Sequence, residues 1–266
     1  MGIHARRDDA EPLPLPVLAD DEPVWRYVHL PKLVDFLARR QLPLVRVDLL
    51  GDRFEGSLPK GHADWLAEAL QRAVPAAASA DAADREAAIA RSARLRRSLI
   101  RHTHASCWRA GRAESAAMWR AYCGTREGAA LRTTFGHLRR AIDDPRTLVA
   151  PVHYLDFETE RLPSLNLAYP LLCKRIEFAH EREVRVLRFR VDEWLEGLQH
   201  RSVGEIAAPP VEYLPVDPTE LVEEVYVSPY APEWYYDAVR VLIEKLAPPL
   251  ADRLRWSRLA DDPDWS

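Results

Sequence analysis

Alternation between apolar and polar positions opens the readable part of the chain. Val24-Trp25-Arg26-Tyr27-Val28 alternates and is rich in β-formers, which predicts a strand. Pro31 then sits where a first helical turn accepts proline. Leu33, Val34, Phe36 and Leu37 form a helical stripe that ends near Arg40. Leu44 to Val47 reads as a second strand, followed by the turn-like Gly51-Asp52. Helical spacing returns at 63–74 and at 84–101, separated by an alanine- and serine-rich linker at 75–81. This pair reads as a helical insertion spanning about 60–102.

Beyond it, short strands are predicted at 104–108, 128–134, 149–154, 183–189, 211–214 and 222–227, with a possible closing strand at 254–259. Short helices are predicted at 115–122 and 138–142. The stretch 234–246 carries Ala238, Val241, Leu242 and Leu246 on one face of a longer helix. Strands mixed irregularly with helices predict an α+β fold with a mixed, mainly antiparallel twisted sheet flanked by helices. The expected domain runs over 24–259. A disordered acidic, proline-rich tail is expected at 1–23 and an acidic C-terminal tail at 260–266.

Composition narrows the function classes. The chain has 266 residues, 47% of them hydrophobic and 29% charged, enough to bury one sizeable core. The formal net charge of -4 lies wholly in the first 24 residues, leaving a neutral body. A general nucleic-acid binder would show a basic excess. The local exception is the Arg85–Arg101 helix, whose arginines outnumber its acids and which is the one candidate contact for nucleic acid. Three cysteines without a C-x-x-C pair exclude a disulfide framework. No apolar run of membrane-spanning or signal-peptide length is present, so a cytoplasmic location and no membrane partner are expected.

The stretch with most chemistry is Phe178-Ala179-His180-Glu181-Arg182-Glu183-Val184-Arg185. On a strand, Glu181, Glu183 and Arg185 project together while Val184 and Val186 face the core. Such a cluster is either the solvated face of an edge strand or a ligand-facing acid pair. His102, His104 and Cys107 are metal-ligand types, but no fourth ligand has convincing spacing, so no metal is assigned. Cys107 reads as a structural cysteine. Met118-Trp119-Arg120-Ala121-Tyr122 offers Trp119 and Tyr122 either for packing or for stacking on a planar ring, and Tyr27 poses the same choice.

Taken in order, five stretches resemble a bacterial family known as domain of unknown function number 2971. They are Trp25-Arg26-Tyr27-Val28, Gly51-Asp52-Arg53-Phe54-Glu55-Gly56, the block from Ser106-Cys107-Trp108 through Met118-Trp119 to Phe135, the block from Lys174 to Arg185, and Val225-Tyr226-Val227-Ser228-Pro229. Phe178 and His180 stand where the family has tryptophan and tyrosine. The likeness covers about 24–250, and the family name carries no activity; the reading taken for the chain is a binding module for a small molecule or a protein partner, in a stress or anti-phage setting. The arrangement is more distantly similar to ADP-ribosyltransferases, which implies NAD as substrate. In that resemblance Arg26, Ser106 and Glu183 take the three signature places. Glu183 is then the catalytic carboxylate and Glu181 its acceptor-orienting neighbour. Arg26 then pairs with the pyrophosphate, Tyr27 or Trp119 stacks on nicotinamide, and Tyr122 and Arg185 are further candidates for binding NAD.

Overall fold

The computed structural model describes residues 14–73, 82–124, 127–164, 166–199 and 208–261. The strands are β1 (Pro23–His29), β2 (Gln41–Arg46), β3 (Thr103–Ala110), β4 (Gly128–Thr134), β5 (Thr147–Pro151), β6 (His153–Leu155), β7 (Cys173–Arg175), β8 (Glu183–Phe189), β9 (Val211–Pro215), β10 (Glu224–Val227) and β11 (Leu254–Trp256). The helices are α1 (Leu30–Arg39), α2 (Lys60–Ala73), α3 (Ala82–Arg101), α4 (Ala116–Cys123), α5 (Phe135–Ala141), α6 (Val191–Gln199), α7 (Pro218–Leu221) and α8 (Glu233–Leu246).

Nine strands form one mixed, mainly antiparallel sheet, and helices flank it, which makes the fold α+β. Its path runs β11-β10-β4-β1-β3-β2-β9, with β8 added beside β3 and β5 beside β8. Only the β10–β11 pair within it is parallel. The parallel pair β6–β7 forms a small second sheet. One face carries the main core, in which Val24, Val28, Trp108, Val184 and Val186 pack with Leu33 and Phe36 of α1 and Val239 and Ile243 of α8. The opposite face carries smaller clusters, one around Trp25, Tyr27, Met118 and Trp119, and another around Ala105, Ala150 and Leu187.

Three local expectations change. Residues 14–22 lie against the body instead of extending as a tail: Pro14 O accepts from the Tyr169 hydroxyl at 2.8 Å, and the Asp20 and Glu22 carbonyls accept from Gly136 and Phe135. The remaining expectations for 1–13 and for 262–266 fall outside the described residues. The strand expected at 149–154 is two strands, separated at Val152, whose N–H turns to Glu183 O. The strand expected at 222–227 begins at Glu224, after the short helix α7 opened by Pro218. Strand β8 starts at Glu183, because Arg182 adopts a left-handed conformation (φ 43°) that ends the preceding 3-10 turn.

Candidate functional site

Strand β3 is bonded to β8 along its whole length, from Thr103↔Phe189 to Arg109↔Glu183. Its other edge is shared. Strand β1 pairs only with Arg109 and Ala110, and β2 only with His104 and Ala105. Between them Ser106, Cys107 and Trp108 have no strand partner on that edge. A seam therefore opens in the middle of the sheet. Pro43 of β2 suits it, because its carbonyl faces the seam and it lacks the N–H that closing this edge would use. The Arg26 side chain crosses the gap, donating from Nη2 to Pro43 O at 3.2 Å.

A cavity of about 440 Å³ occupies this seam. Alternation puts Arg26, Ser106 and Trp108 on the α1 side of the sheet, and Tyr27, Cys107, Arg109 and Glu183 on the other. The cavity is lined from both sides, so it threads between the faces. Arg26 is half-buried and forms no ion pair with a described residue. Burial lowers its guanidinium to about 10, so it stays charged at neutral pH. Its Cζ lies 5.9 Å from the Trp108 ring centroid. Three buried donors of lining residues, Ser106 Oγ, Trp108 Nε1 and Arg109 Nε, have no hydrogen-bond partner among the described residues.

The far wall is an ion cluster. Glu183 is 5% exposed, and both its oxygens are engaged. Oε1 accepts from Arg185 Nε at 2.7 Å, and Oε2 from Lys174 Nζ at 3.0 Å and Arg185 Nη2 at 3.2 Å. Lys174 also donates to Glu181 Oε2 at 2.5 Å, and Arg185 Nη2 to Glu55 Oε1 at 2.8 Å. Burial alone would raise the Glu183 carboxyl, but Arg185, with Lys174 behind it, holds it at about 2. Burial likewise opposes the charge on Lys174 and Arg185, yet the surrounding carboxylates raise both. Three carboxylates face two cations here. Burial pushes the Glu55 carboxyl up against the pull of Arg185, and Glu183 adds to the rise. Glu55 is thus more readily protonated than Glu183. Burial, then the charge on Glu183, pushes the Cys107 thiol well up, which favours the neutral thiol over the nucleophilic thiolate.

Of the eight residues singled out by sequence, Arg26, Tyr27, Ser106, Tyr122, Glu181 and Glu183 line this one cavity. Two do not. Trp119 is fully buried, donates from Nε1 to Glu114 at 2.9 Å and packs edge-on against Tyr27. Its role is to hold Tyr27, whose hydroxyl accepts from Ser115 N–H at 2.9 Å. Arg185 is fully buried behind Glu183 and positions that carboxylate instead of facing the cavity. The solvated-edge reading of the acid pair is also overturned. Strand β8 lies between β3 and β5, and Glu181 sits on the 3-10 turn before it. The two acids meet through Lys174, not through strand alternation.

Sequence reasoning missed Glu55, Lys174 and Arg109 as site residues. The first two lie inside the quoted Gly51–Gly56 and Lys174–Arg185 stretches, so their signal was present. His102 and His104 are used internally: His102 Nδ1 bonds Ser98 O at 2.8 Å, and His104 Nε2 bonds Pro209 O at 2.7 Å. Among the described residues, no group of three His, Cys, Asp or Glu side chains is arranged to hold a metal. No arginine of α3 lines the cavity. Arg96 bonds Ser92, and Arg101 faces Asp48 at 3.9 Å, while Arg91, Arg94 and Arg97 are exposed. Among the described residues no helix is long and apolar enough to cross a membrane. No protein-family model, no curated protein and no solved structure matches the chain.

Proposed function

We propose that the protein binds a nucleotide-type small molecule in the seam cavity, and that NAD is the ligand whose chemistry the lining matches best. The observation that carries this reading is the meeting of Arg26, Ser106 and Glu183, distant in sequence, around one cavity. These are the three positions the ADP-ribosyltransferase resemblance singles out. Arg26, bonded to the Pro43 carbonyl but in no ion pair with a described residue, offers its charge to a phosphate. Tyr122, 41% exposed, offers a ring face at the lining. The cavity volume falls within the ~300–1,000 Å³ of small-molecule sites.

The reaction this supports is transfer or hydrolysis of an ADP-ribosyl group. The C1′–N bond breaks, its electron pair leaves with nicotinamide, and positive charge develops on the ribose ring. Glu183, ionised at any physiological pH and fixed by Arg185 and Lys174, is a preorganised anion for that charge. It is too weak a base to take the acceptor's proton. Glu181, held by Lys174 at 2.5 Å, is placed to orient the acceptor hydroxyl or water, whose oxygen bonds C1′ as nicotinamide leaves and whose proton passes to solvent.

A second reading is favoured by the same cluster: binding without cleavage. Each Glu183 oxygen already accepts from a cation, which blunts its charge toward a ligand. Titration calorimetry with NAD, followed by chromatography for released nicotinamide, separates the two. Heat with nicotinamide release that is lost in Glu183→Gln supports catalysis. Heat without release supports the binding module. No heat and no thermal shift at millimolar NAD would overturn the nucleotide reading, as would undiminished binding by Arg26→Gln.

A further inference from the structure

A second concavity, of about 390 Å³, adjoins the first, and Trp25 lines both. It is formed chiefly by Arg112, Glu114, Arg132, Tyr226 and Arg258 around Trp25. Its acids are already committed. Glu224 binds Arg132 at 2.6 Å. Glu114 accepts from Trp119 Nε1, from Ser257 Oγ and from the Arg258 backbone N–H. Arg112 and Arg258 are exposed, and neither forms an ion pair with a described residue. Two cations thus face this pocket without a carboxylate partner.

The ridge between the pockets is also prepared. Arg109 lines the seam cavity, while its Nη1 donates at 3.1 Å to Ala113 O, on the lining of the second pocket. Its Nε is buried with no acceptor. Gly111 fixes the turn beside it: at φ 156° a Cβ there would stand 2.7 Å from Arg109 Nη1.

We infer that the ligand is bipartite, a dinucleotide joined by a diphosphate, with one half in the seam cavity and the other across Trp25 between Arg112 and Arg258. This rests on the nucleotide reading above and extends it. Each pocket alone is at the small end of the range for ligand sites, near the scale of a mononucleotide. A linker carrying negative charge would pass over the partly buried Arg109, whose guanidinium charge lies on the ridge. The second pocket's polar lining suits a ribose phosphate better than an apolar group.

The test compares NAD with nicotinamide mononucleotide by titration calorimetry, on the wild type and on the double variant Arg112→Gln/Arg258→Gln. Wild type should bind NAD about tenfold or more tightly than the mononucleotide, the gain expected from charge-assisted hydrogen bonds to two arginines. In the double variant that ratio should fall toward one. Equal affinities in the wild type would overturn the inference, as would a ratio the variant leaves unchanged; in both cases seam binding would survive. Failure of both ligands to bind would instead overturn the underlying nucleotide reading and this inference with it.

Discussion

At the residue scale, the distinction that matters is between polar atoms that serve the fold and those left over. Ser106 is 2% exposed, and its hydroxyl has no partner. An unsatisfied buried hydroxyl costs roughly 1–3 kcal/mol, so Ser106→Ala should leave urea-unfolding stability unchanged or raise it by about 1 kcal/mol. The same variant should weaken NAD binding in calorimetry. Glu183 and Glu55 diverge in the opposite manner. Glu183→Gln leaves Lys174 and Arg185 short of a counter-charge and should cost about 3 kcal/mol. Glu55→Gln, at the carboxyl that burial already disfavours as an anion, should cost about 1 kcal/mol. The pH signs are opposite too. The Glu183 carboxyl is lower in the fold (about 2) than its ordinary 4.5, so its contribution is present above pH 4.5 and lost as the pH falls toward 2. The Glu55 carboxyl is raised, so its contribution is present below the ordinary carboxyl range and lost as the pH rises through the folded value. Stability measured against pH should lose its acid-side decline in part in Glu183→Gln, and should gain at neutral relative to acid pH in Glu55→Gln.

At the element scale, the loop carrying Glu55 is set by one backbone position. Gly56 has φ 68°, and a Cβ there would meet Ile100 Cγ1 at 2.7 Å and Leu171 Cδ2 at 3.0 Å. Gly56→Ala should cost about 1–3 kcal/mol from the left-handed conformation and the overpacking. It should also weaken NAD binding, because Glu55 next door is displaced from Arg185; unaltered affinity would show the loop to be independent of the site. Elements of strong local pattern were legible in the sequence. The alternation at 24–28, the apolar spacing at 128–134 and 183–189, and the helical stripe at 234–246 each match an element almost residue for residue. Strand β7 was not legible, since Cys173–Arg175 is three residues long and is defined by pairing with β6. Helix α7, four residues after Pro218, is too short for any periodicity. The seam was illegible for a deeper reason. Which strand flanks Cys107 is decided by pairings among β1, β2 and β3, and no local pattern encodes them. Six of eight proposed site residues still line the cavity. Trp119 and Arg185 were misplaced because a motif gives proximity without saying which side chains face inward.

At the scale of the whole molecule, residues 14–22 pack against the body. Leu15 packs against two core clusters and Leu18 against the main one, and the carbonyls of Asp20 and Glu22 cap the entry to α5. Deleting 1–22 should lower stability by about 2–3 kcal/mol, from two part-buried leucines and the lost hydrogen bonds. The measurement is urea denaturation beside the full chain. The insertion is similarly integral at its C-terminal end. Leu95, Leu99 and Ile100 of α3 pack with Ala105, Leu171 and Leu187 under the far end of β3.

A sheet interrupted at its centre has rungs missing from its ladder, and whatever fills the gap replaces them. The Cys107 amide, with no strand opposite it on the open edge, should therefore exchange its hydrogen with solvent far faster than the Ala105 and Arg109 amides that bracket it. Occupancy by NAD should slow that exchange locally and raise the melting temperature. Deuterium uptake across 104–110, with and without NAD, reads both; equal uptake in the two states would mean that the opening is a standing defect of the sheet and not a place kept vacant for a guest.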